Sequence, residues 1–392
     1  MHSIRLHYTL EPAGGPDALG SRSRSSGLGP LESGLQHPLM ALLQSVAQHG
    51  SISAAARELG LSYRHVWGEL KRWETSLGQS LIVWEKGQSA RLTEFGTKLM
   101  WAERQTQARL AAQIQALRAD LERTFAVAFD PQAHVLTCYA SHDAALAQLQ
   151  DQAGHHGLHL DVRFCGSVDA IRALNEGRCL IAGFHVPLHP QANSLPALTF
   201  RPLLQPGQHK LIGFADRSQG LMVPRGNPLG LDSLKTVARQ RARVALRDKG
   251  SGTRLLFDEL AQQAGLSGAD FAIAPQEEPS HQACAAAVAA GTADVALGIA
   301  SAADSQGLDF VPLHEERYYL VCLKSAVDSP AVVALRRLLQ SPVWQRSLER
   351  LTGYRAEQSG EVQSLREQLP WWQLRPKKGR SVRVHRHPRG KP

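Results

Sequence analysis

The sequence has no apolar run of the roughly 18–20 residues that a membrane-spanning helix needs, which argues against an integral membrane protein. Its first 20 residues include Glu11 and Asp17 and no continuous apolar core, so they do not resemble a secretory signal. Cysteine is scarce, and no Cys-x-x-Cys pair occurs. We therefore expect a cytoplasmic protein whose five scattered cysteines are small core residues: Cys138, Cys165, Cys179, Cys284 and Cys322.

The motifs of several enzyme classes are also missing. There is no Gly-x-x-x-x-Gly-Lys-Ser/Thr loop for nucleotide phosphates, no nucleophile with a partnered base and no acid–base dyad. His155, His156 and His159 come nearest to a metal motif, but a solvated loop between a helix and a strand explains them more simply. We expect no enzymatic activity, no catalytic residue and no bound metal.

Acidic residues are absent from the end of the chain, where positive charge is concentrated. The 392 residues carry a net charge of +9, and residues 375–392 supply eight positive and no negative side chains. The rest of the chain therefore carries only +1, and we expect a disordered basic tail. Such a tail either adds non-specific attraction to phosphates or serves only solubility, and the sequence leaves both open.

The most informative stretch lies between Gly50 and Leu77 and is typical of a helix-turn-helix. Ser51 or Ser53 can cap a first helix, Gly60 can end it with a left-handed residue, and Ser62 can cap a second. The apolar residues of the second helix recur at spacings of 4, 3 and 4, which predicts one buried stripe: Val66, Leu70, Trp73 and Leu77. The alternative is an alanine-rich helical hairpin with no nucleic acid partner.

The opposite face of the second helix carries side chains suited to DNA. We expect Ser62, Tyr63 and Arg64 to contact base edges in the major groove. Basic residues further along suit phosphates. The full set of predicted DNA-binding residues is Ser53, Ser62, Tyr63, Arg64, His65, Lys71, Arg72, Lys86 and Arg91. Trp67 and Trp73 are expected in the core.

The residues that follow complete a winged helix. Two short apolar runs flank Lys-Gly-Gln-Ser, which predicts a β-hairpin, and Thr93 can cap the next helix. Together with Gly-Ser-Ile-Ser-x-Ala-Ala, Leu-Ser-Tyr-x-x-x-Trp and Arg-Leu-Thr-x-x-Gly, this segment resembles the N-terminal domain of the ModE and LysR-type transcription regulators. The resemblance implies a double-stranded DNA operator as partner. We place a flexible segment with a possible short strand at 1–34 and the winged domain at 35–92.

A long helix is predicted over 93–126, because apolar residues repeat at helical spacing without an intervening proline. The repeat comprises Leu110, Ile114, Leu117, Leu121 and Phe125. Antiparallel pairing of this helix in a homodimer, with a tetramer as a further possibility, would bury the seam and space two winged helices. The alternative packs the seam on the helix's own chain.

From about Ala133 strands alternate with helices, which predicts mainly parallel α/β sheets. Hydroxyl residues recur where strands end and helices begin, at Ser141, Ser167 and the Gly-Ser-Gly-Thr run 250–253. Helix starts with free N–H groups and hydroxyls favour anions. A plain capped turn explains any one of these runs, but three of them can converge on one cleft.

Residues 134–345 resemble the periplasmic-binding-protein-like domain found with regulators and with MoeA-type proteins of molybdopterin synthesis. The runs that carry the resemblance include Ala-Gly-Phe-His at 182–185, Gly-Asn-Pro at 226–228 and Gly-Thr-Ala-Asp-Val at 291–295. It implies a two-lobed α/β domain, placed at 132–355, with two crossover strands and a ligand in the cleft. The predicted ligand residues are Ser141, His142, Ser167, Ser251, Gly252, Thr253, Arg254, His281 and Tyr318.

The fold class is thus α/β overall, with a winged helix-turn-helix, a linker helix and a two-lobed domain. We expect a transcription regulator without a cofactor that senses a small anion, with molybdate or tungstate as the first candidates. Arg254 and His281 suit a carboxylate, phosphate or pterin-like ligand instead, and no β-barrel oxyanion module is recognised. The alternatives are a ligand-storage protein or a molybdenum-cofactor assembly protein whose winged helix only dimerises.

Overall fold

The computed structural model describes residues 37–84, 89–129 and 134–372. Within them the chain is mixed α/β, with a helix-turn-helix unit in front and a two-lobed sheet domain behind, so the predicted fold class is confirmed. The predicted N-terminal strand, Lys86 and the basic tail lie outside the described residues.

The front unit begins with three helices: α1 (Pro38–His49), α2 (Ile52–Glu58) and α3 (Tyr63–Leu77). Ser51, not Ser53, caps α2, and Ser62 caps α3 by accepting a hydrogen bond of 3.1 Å from the His65 N–H. Gly60 follows α2 at φ +67°, the left-handed conformation expected of a residue that ends a helix. Val66 and Leu70 are fully buried in the shared core of the three helices. Local capping and one apolar stripe therefore specify the unit.

The predicted wing follows α3. Strands β1 (Ile82–Val83) and β2 (Arg91–Leu92) pair antiparallel, and α4 (Glu94–Phe129) begins directly after them. Thr93 caps α4 by accepting a 3.0 Å hydrogen bond from the Gly96 N–H. A Cβ at position 96 would overlap the carbonyl oxygen of Leu81, so glycine lets the helix start pack on the base of the wing.

Ten strands of the rear domain form one sheet within the described residues. They are β3 (His134–Ala140), β4 (Leu158–Phe164), β5 (Ile181–Pro187), β6 (His209–Val223), β7 (Arg243–Ala245), β8 (Ala272–Ile273), β9 (Val295–Ile299), β10 (Asp309–Leu323), β11 (Tyr354–Arg355) and β12 (Val362–Ser364). The strand order is β4-β3-β5-β10-β6-β9-β7-β8, with β11 and β12 also paired to β6. The pairs β3–β4, β3–β5, β7–β8 and β7–β9 are parallel, as the alternation of strands and helices predicts.

The helices of the rear domain cover this sheet. They are α5 (Ala144–His155), α6 (Ser167–Asn175), α7 (Leu195–Phe200), α8 (Leu234–Arg239), α9 (Gly252–Gln263), α10 (His281–Ala289), α11 (Ala300–Ser305), α12 (Pro330–Leu339), α13 (Pro342–Glu349) and α14 (Leu365–Gln368). Separate hydrophobic clusters lie under α5 and α10–α13, under α6 and α7, and under α8 and α9.

Two 15-residue strands, β6 and β10, run antiparallel through both lobes. One lobe contains β3, β4 and β5, and the other contains β7, β8 and β9. The sequence alone predicts two strands here, in the apolar runs 210–214 and 220–223, but both runs belong to the single strand β6. Asp216 and Arg217 in the polar stretch between them are buried and paired, so polarity did not mark a loop there.

The rear domain continues past the predicted end at residue 355. Strand β12 pairs with β6, and Trp371 is 3% exposed, with its ring 6.5 Å from that of Phe200. The short elements of 356–372 carry no long apolar pattern, which is why the sequence did not reveal them.

Helix α4 joins the two units and packs by one face on the rear domain. Ala108 is buried against Ala283 and Ala286 of α10. Leu110, Leu117 and Leu121 on the same helix are 42%, 51% and 38% exposed. Among the described residues, these three seam leucines thus remain largely exposed, and the contact with the rear domain at Ala108 does not use them.

Four of the cysteines are buried, as predicted, whereas Cys165 is only partly buried. Burial raises the pKa of the Cys179 thiol to about 12.

His155 ends α5, His156 follows it and His159 lies on β4. Among the described residues, no helix is long and apolar enough to cross a membrane, and no His, Cys, Asp and Glu side chains cluster as metal ligands would.

Candidate functional site

The first candidate surface is the exposed side of α3 with the adjoining wing. The predicted DNA-binding residues that the structure describes are all exposed: Ser53, Ser62, Tyr63, Arg64, His65, Lys71, Arg72 and Arg91. Arg64 forms no ion pair with any described residue, so its guanidinium is available to a partner. Lys71 and Arg72 are held along the helix by Glu74 (2.7 Å) and Glu69 (2.5 Å). Exposed pairs of this kind are weak and can yield to a phosphate.

Aromatic rings extend this surface from α3 to the wing. The ring of Tyr63 stacks on Trp67 with centroids 6.4 Å apart, and Trp84 meets the edge of Trp67 at 6.0 Å. Tyr63 and Trp84 are 46% and 52% exposed. Trp67 and Trp73 are partly buried against the front core, so their expected burial is incomplete, and the ammonium of Lys71 lies 5.0 Å from the Trp67 ring.

Glu74 fixes the wing relative to α3. Its Oε1 accepts hydrogen bonds from the backbone N–H groups of Leu81 (2.8 Å) and Ile82 (3.3 Å). Partial burial acts against ionisation of Glu74, but the hydrogen bonds from Lys71 and from these two amides outweigh it and lower the pKa of Glu74. Glu74 therefore ties the start of β1 to α3.

The second candidate site is a polar cluster between the lobes of the rear domain. The hydroxyls of Ser141, after β3, and Ser167, at the start of α6, lie 3.4 Å apart. Gly252 begins α9 on the other lobe, and a Cβ there would lie 3.8 Å from Ser167 Oγ and 3.7 Å from His185 Nδ1. Two helix starts and the end of β5 thus meet at one point, as the hydroxyl pattern predicts.

The lobes are closed on each other at this point. A Cβ at Gly166 would lie 2.8 Å from the carbonyl oxygen of Gly250. Ser141, Ser167 and Thr253 are at most 7% exposed. A solute held here would be shielded from bulk water, which strengthens each polar contact it makes.

The crossover strands supply further side chains to the cluster. Gln219 on β6 donates from Nε2 to Thr253 Oγ1 at 3.2 Å, and that hydroxyl lies 3.4 Å from His281 Nε2. Tyr318 on β10 places its ring 3.9 Å from that of His185. Predicted residues Ser141, Ser167, Gly252, Thr253, His281 and Tyr318 therefore belong to one connected cluster.

A buried ion network lies beside this cluster. Arg217 on β6 donates to Asp143 through Nη1 and to Glu316 Oε1 through Nε at 2.5 Å, and Asp143 also accepts a 2.7 Å bond from the Tyr354 hydroxyl. These residues are at most 5% exposed. Two buried carboxylates neutralise Arg217 and leave one negative charge, so this guanidinium has a structural role at the crossing of the lobes.

Arg247 is the buried cation with less compensation. Its Nε and Nη2 donate to the carbonyl oxygens of Glu278 (3.2 Å) and Pro279 (3.0 Å). Its carboxylate contact, Asp248 at 3.4 Å, is half exposed, with a side-chain accessibility of 51%. Burial lowers the pKa of Arg247, because the charged form is desolvated.

Three histidines of the cluster are neutral at ordinary pH. Burial, opposed by Asp143 and assisted by Arg247, lowers the pKa of His142 to about 4. Burial and the nearby arginines 217 and 247 hold the pKa values of His185 and His281 well below the usual range. Neutral imidazoles offer one donor and one acceptor each.

Several buried polar atoms of the cluster have no hydrogen-bond partner among the described residues. They are both ring nitrogens of His142, His185 Nε2, Gln219 Oε1, His281 Nδ1 and the Tyr318 hydroxyl. Buried polar atoms in proteins are nearly always satisfied. Six of these atoms lie in this one cluster, where they could bond to a polar solute.

Two predicted ligand residues are committed elsewhere. Ser251 caps α9 by accepting from the Arg254 N–H (3.2 Å) and donates to the Asp248 carbonyl oxygen (3.0 Å). The Arg254 guanidinium bonds to Glu277 (3.2 Å), Asp258 (3.3 Å) and the Arg247 carbonyl oxygen (3.4 Å). Both side chains are thus engaged by partners within the rear domain.

Sequence reasoning missed His185, Gln219 and Arg247. His185 and Arg247 lie at or just beyond the ends of parallel strands, the same position that singled out Ser141. That rule could have identified them. Gln219 lies inside β6, and no local signal shows that the strand passes the cleft.

The cluster is connected to α4 through residues next to Arg247 and His281. Arg109 on α4 forms a two-pronged bond with Glu278, from Nε at 3.0 Å and Nη2 at 2.8 Å. Ser280, which caps α10, donates to the carbonyl oxygen of Ala108 at 3.2 Å. Residues around the cleft are thus in direct contact with the helix that carries the winged domain.

Two family models match the chain. Residues 38–97 match the bacterial regulatory helix-turn-helix protein, lysR family, and residues 147–340 match the PBP superfamily domain. The first match covers the three front helices and the wing, and the second covers most of both lobes.

Two curated relatives are similar in sequence. The chain is 30% identical over 200 residues to "Uncharacterized protein YvgK" of Bacillus subtilis (strain 168), covering 51% of this chain and 64% of YvgK, slightly less than two thirds of its length. It is 32% identical over 109 residues to "Uncharacterized protein in ferredoxin 2Fe-2S gene 5'region" of Clostridium pasteurianum, covering 28% of this chain and 96% of that protein. The chain belongs to one family with the Clostridium protein.

Solved structures show a partial likeness. A cysteine mutant of OxyR from Corynebacterium glutamicum is 17% identical with a TM-score of 0.41, covering 80% of this chain and 91% of that one. ArgP from Mycobacterium tuberculosis is 20% identical with a TM-score of 0.33, covering 77% and 95%. These superpositions are too loose to carry an argument about function.

Proposed function

We propose that this chain, a LysR-type transcription regulator by its lysR-family helix-turn-helix and its PBP superfamily domain, couples DNA binding to a small anion held between its two rear lobes. LysR-type regulators bind DNA, act as oligomers and are not enzymes. What we propose beyond this is the identity of the solute, the residues that contact it and the residues that contact DNA.

The observation that carries the anion is the closed, hydroxyl-lined cluster beside Arg247. Arg217 is neutralised by two buried carboxylates, whereas Arg247 has only a half-exposed one. A buried charge with so little ionic compensation is costly, so the site favours a ligand of opposite sign. Ser167 and His281 are the first residues of α6 and α10, where N–H groups also attract anions.

Molybdate and tungstate belong to this class of ligand, as do phosphate and small carboxylates. Hydroxyls and amides are the groups that would hold the oxygen atoms of a tetrahedral oxyanion, with Arg247 as the nearby positive charge. We propose Ser141, Ser167 and Tyr318 as the hydroxyl ligands, with His142 and His281 beside them and Thr253 orienting His281.

The front unit supplies the DNA contacts in this proposal. Tyr63 and Arg64, at the exposed start of α3, read base edges, and Lys71 and Arg91 contact phosphates. The exposed leucines of α4 pair with a second copy, so that two winged helices meet two half-sites.

The response to the anion passes through Glu278. Its backbone bonds to Arg247 and its carboxylate to Arg109, so that one residue contacts both the cluster and α4. Anion binding then shifts the winged domain only to the extent that the closed and open lobes differ in affinity for the anion.

Replacing Arg64 by alanine tests the proposal. DNA from the chromosomal neighbourhood of the gene should bind the variant about 1–3 kcal/mol more weakly, while anion affinity stays unchanged. Arg172→Ala, an exposed arginine on α6, is the matched control and should leave both intact. Full DNA affinity in Arg64→Ala would contradict the assigned role of α3, and anion binding without any DNA binding would favour a storage protein.

A further inference from the structure

We infer that the interlobe site selects an anion that also carries a hydrogen-bond donor, and that Gln219 Oε1 is the atom that recognises this donor. The inference rests on the proposed function and narrows its ligand class. It depends on the orientation of the Gln219 amide and on the proton of His281.

The Gln219 amide is fixed in one orientation. Its Nε2 donates to Glu316 Oε1 at 2.9 Å and to Thr253 Oγ1 at 3.2 Å, and Arg217 holds the same Glu316 oxygen at 2.5 Å. Turning the amide over would place Oε1 against the Glu316 carboxylate, where two acceptors repel. The fully buried Oε1 therefore remains an acceptor, and it has no donor among the described residues.

Thr253 sets the complementary polarity at His281. Its hydroxyl oxygen accepts from Gln219, and among the described residues His281 Nε2, 3.4 Å away, lies within reach of its hydrogen, so that hydrogen is assigned to Nε2. A neutral imidazole that accepts at Nε2 carries its proton on Nδ1. His281 Nδ1 is buried without a partner among the described residues, so it presents a donor.

The site thus presents a fixed acceptor at Gln219 and a donor at His281, connected through Thr253. A fully ionised oxyanion such as sulfate, molybdate or tungstate offers only acceptors, so it would satisfy His281 and leave Gln219 Oε1 unpaired. Hydrogen phosphate and hydroxy acids have both kinds of group. An unpaired buried acceptor weakens binding by roughly tenfold or more.

Matched pairs of ligands test the inference by calorimetry on the full chain. Near neutral or slightly alkaline pH, hydrogen phosphate and sulfate have nearly the same size and shape but differ in a hydroxyl. Glycolate and methoxyacetate form a second pair, with one carboxylate each. The donor-bearing member of at least one pair should bind about tenfold more tightly than its match, and more tightly than molybdate or tungstate.

Gln219→Met removes the acceptor with little change in volume and should reduce this ratio towards one. Gln152→Met, the same substitution on α5, should leave the ratio unchanged. If Gln219→Met does not fold, the ratio of the two affinities within each ligand pair, measured on the unaltered chain, still tests the inference. Equal or tighter binding of sulfate, molybdate or tungstate would overturn the inference while leaving the proposed function standing. Failure of every probe to bind would contradict the anion site of the proposed function itself.

Discussion

Arg109 on the linker helix and Glu278 beside the interlobe cluster form a two-pronged ion pair, with N–O distances of 3.0 and 2.8 Å. The Glu278 side chain is only 3% exposed. Its hydrogen bonds with Arg109 raise the pKa of Arg109 by more than the partial burial of that guanidinium lowers it. The Glu278 carbonyl oxygen accepts from Arg247. One residue therefore contacts both the helix that carries the DNA-reading unit and the buried cation of the cluster.

Arg109→Met should uncouple the two units. It leaves the Glu278 carboxylate buried without its charged partner, at a cost of about 3 kcal/mol to the packing of α4 on the rear domain. The anion should still bind, but its effect on DNA affinity should shrink towards none, as measured by fluorescence anisotropy with and without the anion.

Lys98→Met on the same helix is the control, because Lys98 pairs with Glu94 on the exposed side of α4. It should change neither affinity. An anion effect of undiminished size in Arg109→Met would show that the signal does not pass through Glu278.

The exposed leucine seam of α4 should hold two copies together. Leu117 is 51% exposed, and a glutamate there would put a charge into the paired seam, so Leu117→Glu should weaken self-association by more than tenfold. Sedimentation equilibrium measures the effect. Leu198→Glu, at a position 64% exposed on α7, should leave the oligomer intact. Equal weakening by both variants would assign no special role to the seam.

Two glycines of the front unit should respond in opposite directions to alanine. Gly96→Ala forces a methyl group against the Leu81 carbonyl oxygen and should lower the stability of the front unit by about 1–3 kcal/mol. Gly68 lies within α3 with open space around it, so Gly68→Ala should raise stability by about 0.5–1 kcal/mol. Thermal unfolding checks both, and a neutral Gly96→Ala would contradict the packing of α4 on the wing.

Acid should destabilise the rear domain through its buried histidines. The pKa of His142 is about 4 in the folded chain and about 6.5 when unfolded, so the unfolded state binds more protons between these values. Above pH 6.5 the neutral His142 costs the folded state nothing relative to the unfolded one. As the pH falls from 6.5 towards 4 the free energy of unfolding decreases, and the loss is about 2 kcal/mol at pH 5.

His142→Gln should therefore flatten the fall of the unfolding midpoint between pH 7 and 5, whereas His134→Gln, at an exposed position on β3, should not. An unchanged slope in His142→Gln would show that this imidazole already takes up protons in the folded chain.

Much of the front unit could be predicted because its information is local. The caps Ser62 and Thr93, the turn at Gly60 and the stripe of Val66 and Leu70 each act within a few residues of themselves, and each was found as expected. Helix α4 was also predicted from its long periodicity. The packing of its Ala108 face on α10 was not, because alanine at a helix surface carries no directional signal.

The rear site was only partly predictable. Hydroxyls at the starts of helices pointed to Ser141, Ser167 and Thr253, since parallel strands deliver their ends to one edge. Gln219, inside a strand, is placed in the cleft by the crossing of β6 between the lobes, and Arg254 is drawn away by Asp258 and Glu277. The position of Gln219 depends on contacts between residues distant in sequence, and that of Arg254 depends on its ion-pair partners. A local sequence pattern encodes neither.

The most direct test of the account measures DNA affinity as a function of anion concentration. Duplexes from the chromosomal neighbourhood of the gene are titrated with the full chain, with and without hydrogen phosphate, sulfate, molybdate, tungstate and glycolate. We expect at least one anion that binds the chain to change the affinity for one duplex by about fivefold or more, with the change abolished in Arg109→Met. DNA affinities that are the same with every bound anion would contradict the coupling of a cleft-held solute to the winged helix.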